Sequence, residues 1–444
     1  MSSELEYISD IKRIFEIVCG IPDITKQVST KGKIDPIELE RSGINLPEEE
    51  VNAFAGLVVN PDNADKESSS LLEIWKEWAE KRYNYIDNTQ RYREVGDTPN
   101  INPNYYNWRN IQINRCNSEL NNSSANILSH GLCAFELSDG CSVGCKFCGL
   151  NAKRFKGYFE YNDTNRELWR GVLNCLNSHF GDAVKTSICY WATEPSDNPD
   201  YFRFMSDFQD IIGVRPPTTT AITPRNLSFI GELNKYYEGA DTFSVISILS
   251  EKMLRMIHEQ YSPLELINLH MQFQHINTSE LFNAGRNNSG EGMDGTIACI
   301  TGFLINMCTR TVKIITPCRA SGRWPNGYKE YASFTFNDVE SFDEIIRHCC
   351  EKEMKTHIES NDLIKFRDDI VYTIQNNVIT VGSPYVEHKL PFEISEDIAS
   401  MLKEGTYSFR SICGRFVEQG VNYFNAVCIL QILYDSGIIE TDTI

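Results

Sequence analysis

The sequence predicts an α/β protein built around an incomplete (β/α)6 barrel, with a helical N-terminal region before it and a winged-helix-like domain after it. Between residues 132 and 318, short apolar runs alternate with amphipathic stretches, a pattern typical of parallel strands joined by helices. The last 80 residues instead combine a hairpin pattern with three capped helices. The chain has 444 residues, 41% of them hydrophobic, which is enough for two or three domains. We expect the domains to span residues 1–130, 131–350 and 366–444.

Residues 1–130 are expected to form helices separated by irregular segments. Apolar residues recur at helical spacing in two places: Ile8, Ile11, Phe15 and Val18, and again Leu71, Trp75 and Trp78. The Pro- and Asn-rich segments between them are typical of loops. We expect this region to pack against the barrel.

The barrel strands are predicted by six apolar runs: Leu132–Leu137, Thr186–Ala192, Thr218–Thr223, Thr242–Leu249, Thr296–Ile300 and Thr311–Thr316. Amphipathic helical patterns lie between several of these runs. The stretch from 263 to 294 interrupts the alternation, and its Asn- and Gly-rich end predicts a long loop. Long loops in compact domains are often functional.

The C-terminal domain is predicted from turn and cap residues. Ile370–Ile374 and Val378–Val381 flank Asn376 and Asn377, which favours a hairpin. Three helices should follow, each begun by a cap residue and ended by a glycine: Ser395 to Gly405, Ser408 to Gly420, and Asn422 to Gly437. A hairpin with three short helices is a winged-helix-like unit.

The charge and hydropathy of the chain indicate which classes of partner it can bind. Lys and Arg total 42, Asp and Glu total 61, and the net charge is −19. A general nucleic-acid binder needs a basic face, so we expect no nucleic-acid partner. No stretch approaches the roughly 20 apolar residues of a membrane-spanning helix, and the N-terminus does not have the pattern of a signal peptide. We therefore expect a cytoplasmic protein without a membrane partner.

Three of the fifteen cysteines form a cluster. Residues 139–150 read DGCSVGCKFCGL, which places Cys141, Cys145 and Cys148 on one tight loop. Thiolates at this spacing can reach three corners of an iron–sulfur cube and leave the fourth iron open. The loop follows the first predicted strand, where barrel active sites gather. Zinc or purely structural cysteines are the alternatives, although structural zinc sites normally have four ligands and no fourth lies nearby.

This loop resembles the signature of the radical S-adenosylmethionine (SAM) superfamily, CxxxCxxC with an aromatic residue before the last cysteine. Phe147 occupies that aromatic position. The resemblance implies a [4Fe–4S] cluster on Cys141, Cys145 and Cys148, with SAM bound to the open iron. It also implies one-electron reduction of SAM to a 5′-deoxyadenosyl radical, with an electron donor such as flavodoxin or ferredoxin.

A second segment resembles the superfamily's GGEP-type loop, which holds the SAM amino group. In WATEPSDNPD, Glu194 and Pro195 match, while Ala192 and Thr193 replace the two glycines. The resemblance implies that Glu194 contacts SAM. The alternative is that Glu194 is an acidic residue leading a helix.

Two further positions are implied by the same resemblance. In TFSVISILSEKMLR, Ser247 and Arg255 are candidates for contacts to the SAM ribose and carboxylate. A serine on a strand is most often an ordinary strand residue, which is the alternative for Ser247. The segment TIACITGFLIN loosely resembles the adenine-binding segment of the superfamily.

The C-terminal domain resembles the PqqD-like recognition element of enzymes that modify ribosomally made peptides (RiPPs). The resemblance rests on the hairpin, on FEISEDIASMLKEGTYSFRSICGRF and on a final helix ending in LYDSGII. It implies that the domain binds the leader of a precursor peptide as an extra strand at a sheet edge. A generic winged helix, including a DNA-binding one, is the alternative, which the acidic chain disfavours.

The segments SDGCSVGCKFCGLNAKRF and TVKIITPCRASGRWPNGY together resemble the radical SAM peptide epimerases of proteusin maturation, the polytheonamide type. In that family the adenosyl radical removes a Cα hydrogen from an L-residue, and a cysteine thiol returns a hydrogen atom to the opposite face. Cys318, just after the last predicted strand, is the candidate donor and is expected to face the barrel opening. Cys299 and Cys308 are its rivals.

The predicted function is therefore epimerisation of L-residues to D-residues in a ribosomally synthesised precursor peptide. The chain contains no second cysteine-rich cluster after the barrel and no recognisable cobalamin-binding region, which disfavours two other branches of the superfamily. Two alternatives remain: a radical SAM peptide enzyme that forms a crosslink or modifies a β-carbon, and a non-catalytic iron–sulfur regulatory protein.

Overall fold

The structure is a computed structural model. It describes residues 2–63, 73–80, 85–97, 102–221, 224–238, 244–276, 281–287, 293–375, 378–388 and 390–441. Among these residues, no helix is both long enough and apolar enough to cross a membrane.

Sixteen α-helices are present in the described parts of the chain. They are α1 (Ser2–Gly20), α2 (Pro22–Lys31), α3 (Pro36–Ser42), α4 (Glu48–Val59), α5 (73–80), α6 (Tyr85–Gly96), α7 (Pro103–Glu119), α8 (Asn122–Asn126), α9 (Asp163–Phe180), α10 (Tyr201–Ile212), α11 (Phe229–Tyr237), α12 (Glu251–Gln260), α13 (Val339–His348), α14 (Glu396–Glu404), α15 (Phe409–Glu418) and α16 (Tyr423–Asp435).

Fourteen strands are present in the same parts. They are β1 (Gly131–Glu136), β2 (Ser138–Asp139), β3 (Gly157–Tyr158), β4 (Thr219–Thr220), β5 (Ser244–Ile248), β6 (Leu269–Phe273), β7 (Ile300–Asn306), β8 (Thr311–Pro317), β9 (Tyr328–Thr335), β10 (Ile364–Phe366), β11 (Val371–Gln375), β12 (Val378–Gly382), β13 (Glu387–His388) and β14 (Ile439–Thr441).

The N-terminal helices pack on the central region, which we define as residues 131–350. The predicted helical spacing is confirmed in α1, whose Ile8, Ile11 and Val18 are buried. Residues 73–80 are helical as predicted, and the Trp75 and Trp78 rings stack with centroids 5.6 Å apart. Leu71, the third residue of that pattern, lies outside the described residues.

Buried polar side chains fasten α1 to the central region. The Lys12 ammonium donates to the Leu266 carbonyl at 3.0 Å, and the Arg13 guanidinium donates to the Tyr261 carbonyl at 2.8 Å. Glu16 Oε2 lies 3.0 Å from His258 Nε2 of α12. Because these groups are buried, each needs the partner it has.

The strands of the central region are parallel where the alternating pattern predicts it. In one sheet β1 pairs with β7 in parallel, and Ala134 of β1 forms a parallel bridge with Ile188. A second sheet has the order β4-β5-β6, again parallel throughout. Most of the buried residues of these strands join α9, α10 and α12 in one hydrophobic core.

Two of the six predicted strands are not present at the predicted positions: Thr186–Ala192 forms only an isolated bridge at Ile188, and Thr296–Ile300 overlaps β7 only at Ile300. Two other strands also differ from the expectation. β6 lies within the stretch from 263 to 294, which was expected to interrupt the strands with a loop. β8 runs antiparallel to β7, and only a short turn separates the two strands. A barrel strand was expected to be parallel to its neighbour and joined to it by a helix, and β8 is neither. β7 begins at Ile300 and returns to pair with β1. An apolar run predicts a strand but carries no signal for its direction or its neighbour.

Residues 364–441, which we call the C-terminal unit, form a second hydrophobic core. The predicted hairpin is present, since β11 and β12 pair antiparallel with Val371 opposite Gly382. The predicted turn residues Asn376 and Asn377 lie outside the described residues. The predicted caps are confirmed, because Ser395 accepts a hydrogen bond from the Ile398 amide and Ser408 from the Ser411 amide.

Strand β10 pairs antiparallel with β14, so the first and last strands of the C-terminal unit lie side by side. The unit is joined to the central region by a buried ion pair. The Lys329 ammonium of β9 lies 2.8 Å from Glu440 Oε2 of β14. Arg367 also donates to the Ser118 hydroxyl of α7 at 3.0 Å.

Candidate functional site

A cavity of about 620 Å³ is lined by the β4-β5-β6 sheet, by the loop that carries Cys141, Cys145 and Cys148, and by the segments around Ile188 and Ile297. We call it the central cavity. Val245, Ser247 and Leu249 line it from the β5 segment, and His270 and Gln272 from β6. These are alternate residues of each strand, as expected because successive side chains of a strand point to opposite faces.

The cluster loop, residues 139–152, covers part of this cavity. Cys141, Cys145 and Cys148 are half-buried, and all three line it. Gly140 has φ of 87°, and a Cβ there would lie 2.5 Å from the Arg154 carbonyl oxygen. A residue with a side chain is therefore excluded at Gly140 by both conformation and space.

Arg286 holds the other end of the cluster loop in place. Its guanidinium donates to the carbonyl of Cys145 at 2.7 Å and also to the carbonyl of Ala152. The Arg286 backbone amide donates to the Cys148 carbonyl at 2.9 Å. These bonds use backbone carbonyls, so the cysteine thiols remain available as ligands.

The three cluster-loop thiols do not form a close group of ligands for a single ion. Among the described residues, the only three potential metal ligands whose donor atoms lie within 4.8 Å of one another are elsewhere, at Cys175, His179 and Asp343. The cluster-loop thiols are therefore more widely spaced than the ligands of a single ion. Burial and the neighbouring thiols raise the pKa of Cys145 to about 11, so ligation there must release a proton.

Phe147 and Glu194 also line the central cavity. The Glu194 carboxylate is buried and accepts hydrogen bonds from the Thr220 hydroxyl and, at 2.8 Å, from the Ala221 amide. These hydrogen bonds connect the segment that follows Ile188 to β4. Burial raises the pKa of this carboxyl, while the hydrogen bonds lower it.

Glu194 also has part of the alternative role, that of an acidic residue at the start of a helix. Its side chain accepts from the Ser196 amide at 3.1 Å and caps a single 3-10 turn, Pro195–Asp197. The same carboxylate thus has a local structural role and a place on the cavity wall.

Ser247 lies on the cavity wall, and Arg255 does not. Arg255 is on α12, where its guanidinium pairs with Glu38 of α3 and, at 2.8 Å, with Glu251. The expectation that Arg255 contacts the carboxylate of a ligand in the cavity is therefore wrong. Arg255 lies on the side of α12 that meets α3, whereas its neighbour Leu254 is buried in the core.

The expected position of Cys318 at the barrel opening is also wrong. Its side chain is fully buried and is not among the residues that line the cavity. Because β8 is antiparallel to β7, its carboxyl end lies beside the amino end of β7. Helix α7 covers this end, since Arg115 donates to the Pro317 carbonyl and Glu119 accepts from the Arg319 amide at 2.9 Å.

Of the two rival thiols, Cys299 reaches the cavity and Cys308 does not. Cys299 is half-buried just before β7, not inside the strand as its sequence neighbours indicated. Gly149 of the cluster loop approaches this segment, since a Cβ there would lie 3.0 Å from Ile297 Cγ2. Burial raises the pKa of the Cys299 thiol to about 11, so it stays protonated near neutral pH.

A comparison with curated proteins finds one clear relative. The chain is 32% identical over 459 aligned residues to the uncharacterized protein y4wI of Sinorhizobium fredii (strain NBRC 101917 / NGR234). The alignment covers 98% of this chain and 88% of that protein. The chain belongs to the y4wI family. No protein-family model matches the sequence, and no solved structure matches the chain.

In this member of the y4wI family, sequence reasoning missed a polar part of the cavity wall. His270, Gln272 and Gln274 line the cavity from β6 and the residue after it. Burial lowers the pKa of His270 to about 4, so its imidazole is neutral near pH 7. The alternation in LHMQFQ was the available signal, and the loop prediction for residues 263 to 294 concealed it.

Proposed function

We propose that the protein is a radical SAM peptide epimerase that converts L-residues to D-residues in a ribosomally synthesised precursor peptide. The central region is proposed to be an incomplete radical SAM barrel that holds a [4Fe–4S] cluster and SAM. One observation carries the proposal: the three thiols of the CxxxCxxC loop and a separate, protonated thiol, Cys299, line the same cavity.

The residues of the cavity fit the cofactors in number and chemistry. Cys141, Cys145 and Cys148 would hold three irons, and Glu194 and Ser247 offer polar contacts to SAM on the same wall. When bound, the cluster and SAM supply a 5′-deoxyadenosyl radical. A cavity of about 620 Å³ is within the usual range for a cosubstrate site.

Cys299 replaces Cys318 as the proposed hydrogen donor. A donor of a hydrogen atom must be a thiol, not a thiolate, and the raised pKa of Cys299 favours that form. With the cofactors bound, the adenosyl radical would accept the hydrogen atom of the substrate Cα–H bond. Cys299 would then break its S–H bond and give that hydrogen atom to the opposite face of the carbon, which forms the new Cα–H bond. One electron and one proton from a reductant of the flavodoxin or ferredoxin type then restore the thiol.

The C-terminal unit is proposed to bind the leader of the precursor peptide. In the described residues β11 pairs only with β12, which leaves its second edge for an added strand. Val371 at the start of β11 is 63% exposed, so an apolar residue is available beside this edge.

The proposal is tested by treating a co-encoded precursor peptide with reconstituted enzyme in D2O. Thiols exchange their proton with solvent, so each inverted Cα should gain one deuterium. Cys299→Ala should still cleave SAM but should form no D-residues. Cys318→Ala is the matched control and should keep both activities, because its thiol lies outside the cavity.

Residue-level chirality and mass analysis separates the outcomes. D-residues from Cys299→Ala at the wild-type rate would overturn the assignment of the donor. A product without D-residues that has lost two hydrogens would identify a crosslinking enzyme. No cleavage of SAM by the wild-type protein would overturn the radical SAM proposal itself.

A further inference from the structure

Outside the central cavity, three side chains of different chemistry meet between two helices. Cys175 and His179 are on α9, and Asp343 is on α13. Asp343 Oδ1 lies 3.4 Å from Cys175 Sγ and 2.6 Å from His179 Nε2. The three donor atoms all lie within 4.8 Å of one another.

The helix packing explains why these residues meet. Cys175 and His179 are four residues apart and so share one face of α9. One turn earlier, α9 has Gly171, where an added Cβ would lie 2.3 Å from Val339 Cγ2 of α13. Because Gly171 has no side chain, α9 and α13 can approach closely at this point. Cys175 and Asp343 each lie one turn further along their helix, so the same close approach brings them together.

Arg347 fixes the orientation of the Asp343 carboxylate. Its Nη2 donates to Asp343 Oδ2 at 2.7 Å and its Nε donates to the same oxygen at 3.1 Å. The other oxygen, Oδ1, is left facing Cys175 and His179. A partner that holds one oxygen of a ligating carboxylate is common around metal sites.

We propose that Cys175, His179 and Asp343 bind a zinc ion that clamps α9 to α13. One thiolate, one imidazole and one carboxylate are ligands that zinc accepts, whereas calcium and magnesium prefer oxygen ligands alone. On binding, the Cys175 thiol releases its proton to solvent, and the neutral His179 imidazole ligates through Nε2 with its proton on Nδ1. Water fills the fourth position, since the His179 and Asp343 side chains are 20% and 35% exposed.

The distances require only a small local adjustment. In a tetrahedral zinc site the bond lengths place a sulfur about 3.5 Å from an oxygen ligand and a nitrogen about 3.3 Å from it. The Cys175–Asp343 separation of 3.4 Å already agrees with this geometry. The His179 ring, now 2.6 Å from Asp343, must move outward by less than about 1 Å.

The test uses the full-length chain with its iron–sulfur cluster loaded. After dialysis against Zn²⁺ and removal of loose metal, wild type should retain about one zinc per chain by elemental analysis. Cys175→Ser should lose it. Cys428→Ser is the matched control, because Cys428 is also a helical cysteine, half-buried where Cys175 is buried, and belongs to no such ligand group among the described residues.

A second measurement uses Co²⁺ as a spectroscopic probe in a full-length background with Cys141, Cys145 and Cys148 all changed to Ala. A thiolate-to-cobalt absorption band should appear in this background, and it should disappear on adding Cys175→Ser or His179→Gln. Circular dichroism verifies that each variant is folded. Equal zinc contents in Cys175→Ser and Cys428→Ser, or a cobalt band that survives Cys175→Ser, would overturn the proposal.

Discussion

Two glycines of the cluster loop have positive φ angles but different surroundings. A Cβ at Gly140 would lie 2.5 Å from the Arg154 carbonyl oxygen, whereas a Cβ at Gly144 would meet no atom within 4 Å. The φ angles are 87° and 65°, so alanine costs conformational energy at both positions, on the order of 1–2 kcal/mol. Only Gly140 adds a clash with backbone.

This difference gives a prediction at the scale of single residues. Gly140→Ala should displace the segment around Cys141 and prevent incorporation of iron, while Gly144→Ala should retain most of it. The measurement is iron content and visible absorbance after anaerobic reconstitution of both variants. Equal iron contents would show that the close approach of Gly140 to Arg154 is not what shapes the loop.

At the scale of helices and strands, the sequence predicted local structure better than connectivity. Ser395 and Ser408 begin helices as predicted, because a cap is a contact between neighbours in the chain. β8 has the composition of a strand, but the predicted strand before it ended at Ile300 whereas β7 runs to Asn306, which concealed the short turn that makes the two strands antiparallel. The misplaced Cys318 follows from that single error.

The candidate site was predictable to a similar extent. The cysteine spacing, Phe147 and Glu194 pointed to residues that do line one cavity. Arg255 was misplaced because its assignment assumed that it faces the strands, whereas it faces Glu38 on another helix. The β6 residues were missed because the loop predicted for residues 263 to 294 concealed the alternating run LHMQFQ.

The contact between α1 and α12 makes stability depend on pH. Burial and the neighbouring Arg13 lower the pKa of His258 to about 4. Burial alone would raise the pKa of Glu16, but Lys12 and His258 beside it hold that pKa at about 2. Both groups therefore bind protons more readily in the unfolded chain, and stability falls with decreasing pH.

The sign and the range of pH follow from these values. In the unfolded chain, His258 binds a proton below a pKa of about 6.5 and Glu16 below about 4.5. Below each of these values, protonation favours the unfolded chain and the free energy of unfolding decreases. Between pH 6.5 and 4, the free energy of unfolding of the wild-type protein should fall as the pH decreases. In His258→Gln the slope of this fall should be smaller by up to about 1.4 kcal/mol per pH unit. Urea denaturation midpoints measured across this range verify the slope.

His348→Gln is the control for this prediction. His348 lies on α13 with its side chain 49% exposed, so its replacement should leave the slope of the wild-type protein unchanged. If His258→Gln and His348→Gln gave the same pH dependence, the α1–α12 contact would not be the source of acid sensitivity.

At the scale of the whole molecule, the C-terminal unit and the central region depend on each other. The Lys329 and Glu440 side chains are only 6% and 11% exposed, and Lys365 lies 3.6 Å from the same carboxylate. Glu440→Gln should therefore leave a buried ammonium without its charge partner and cost about 3 kcal/mol. The double variant Lys329→Met/Glu440→Leu should recover most of this loss.

Urea denaturation followed by tryptophan fluorescence measures both variants. A double variant as unstable as the single one would mean that packing at β14, not the unpaired charge, is responsible. The ion pair also bears on how leader binding can be tested. Deleting residues 366–444 would expose Lys329 and remove β14 from its pairing with β10, so the deletion would disturb the fold as well as remove the proposed leader-binding unit.

The parallel pairing of β1 with β7 has a consequence for biosynthesis. Gly131 pairs with Ile300, so the ribosome must add roughly 170 residues after β1 before its partner exists. At typical translation rates this takes about ten to thirty seconds. During that time one edge of β1 has no strand beside it, and such an edge invites association with other chains. The three cysteines of the cluster loop emerge in the same interval, so the nascent protein exposes these thiols to oxidants long before the fold that encloses them is complete.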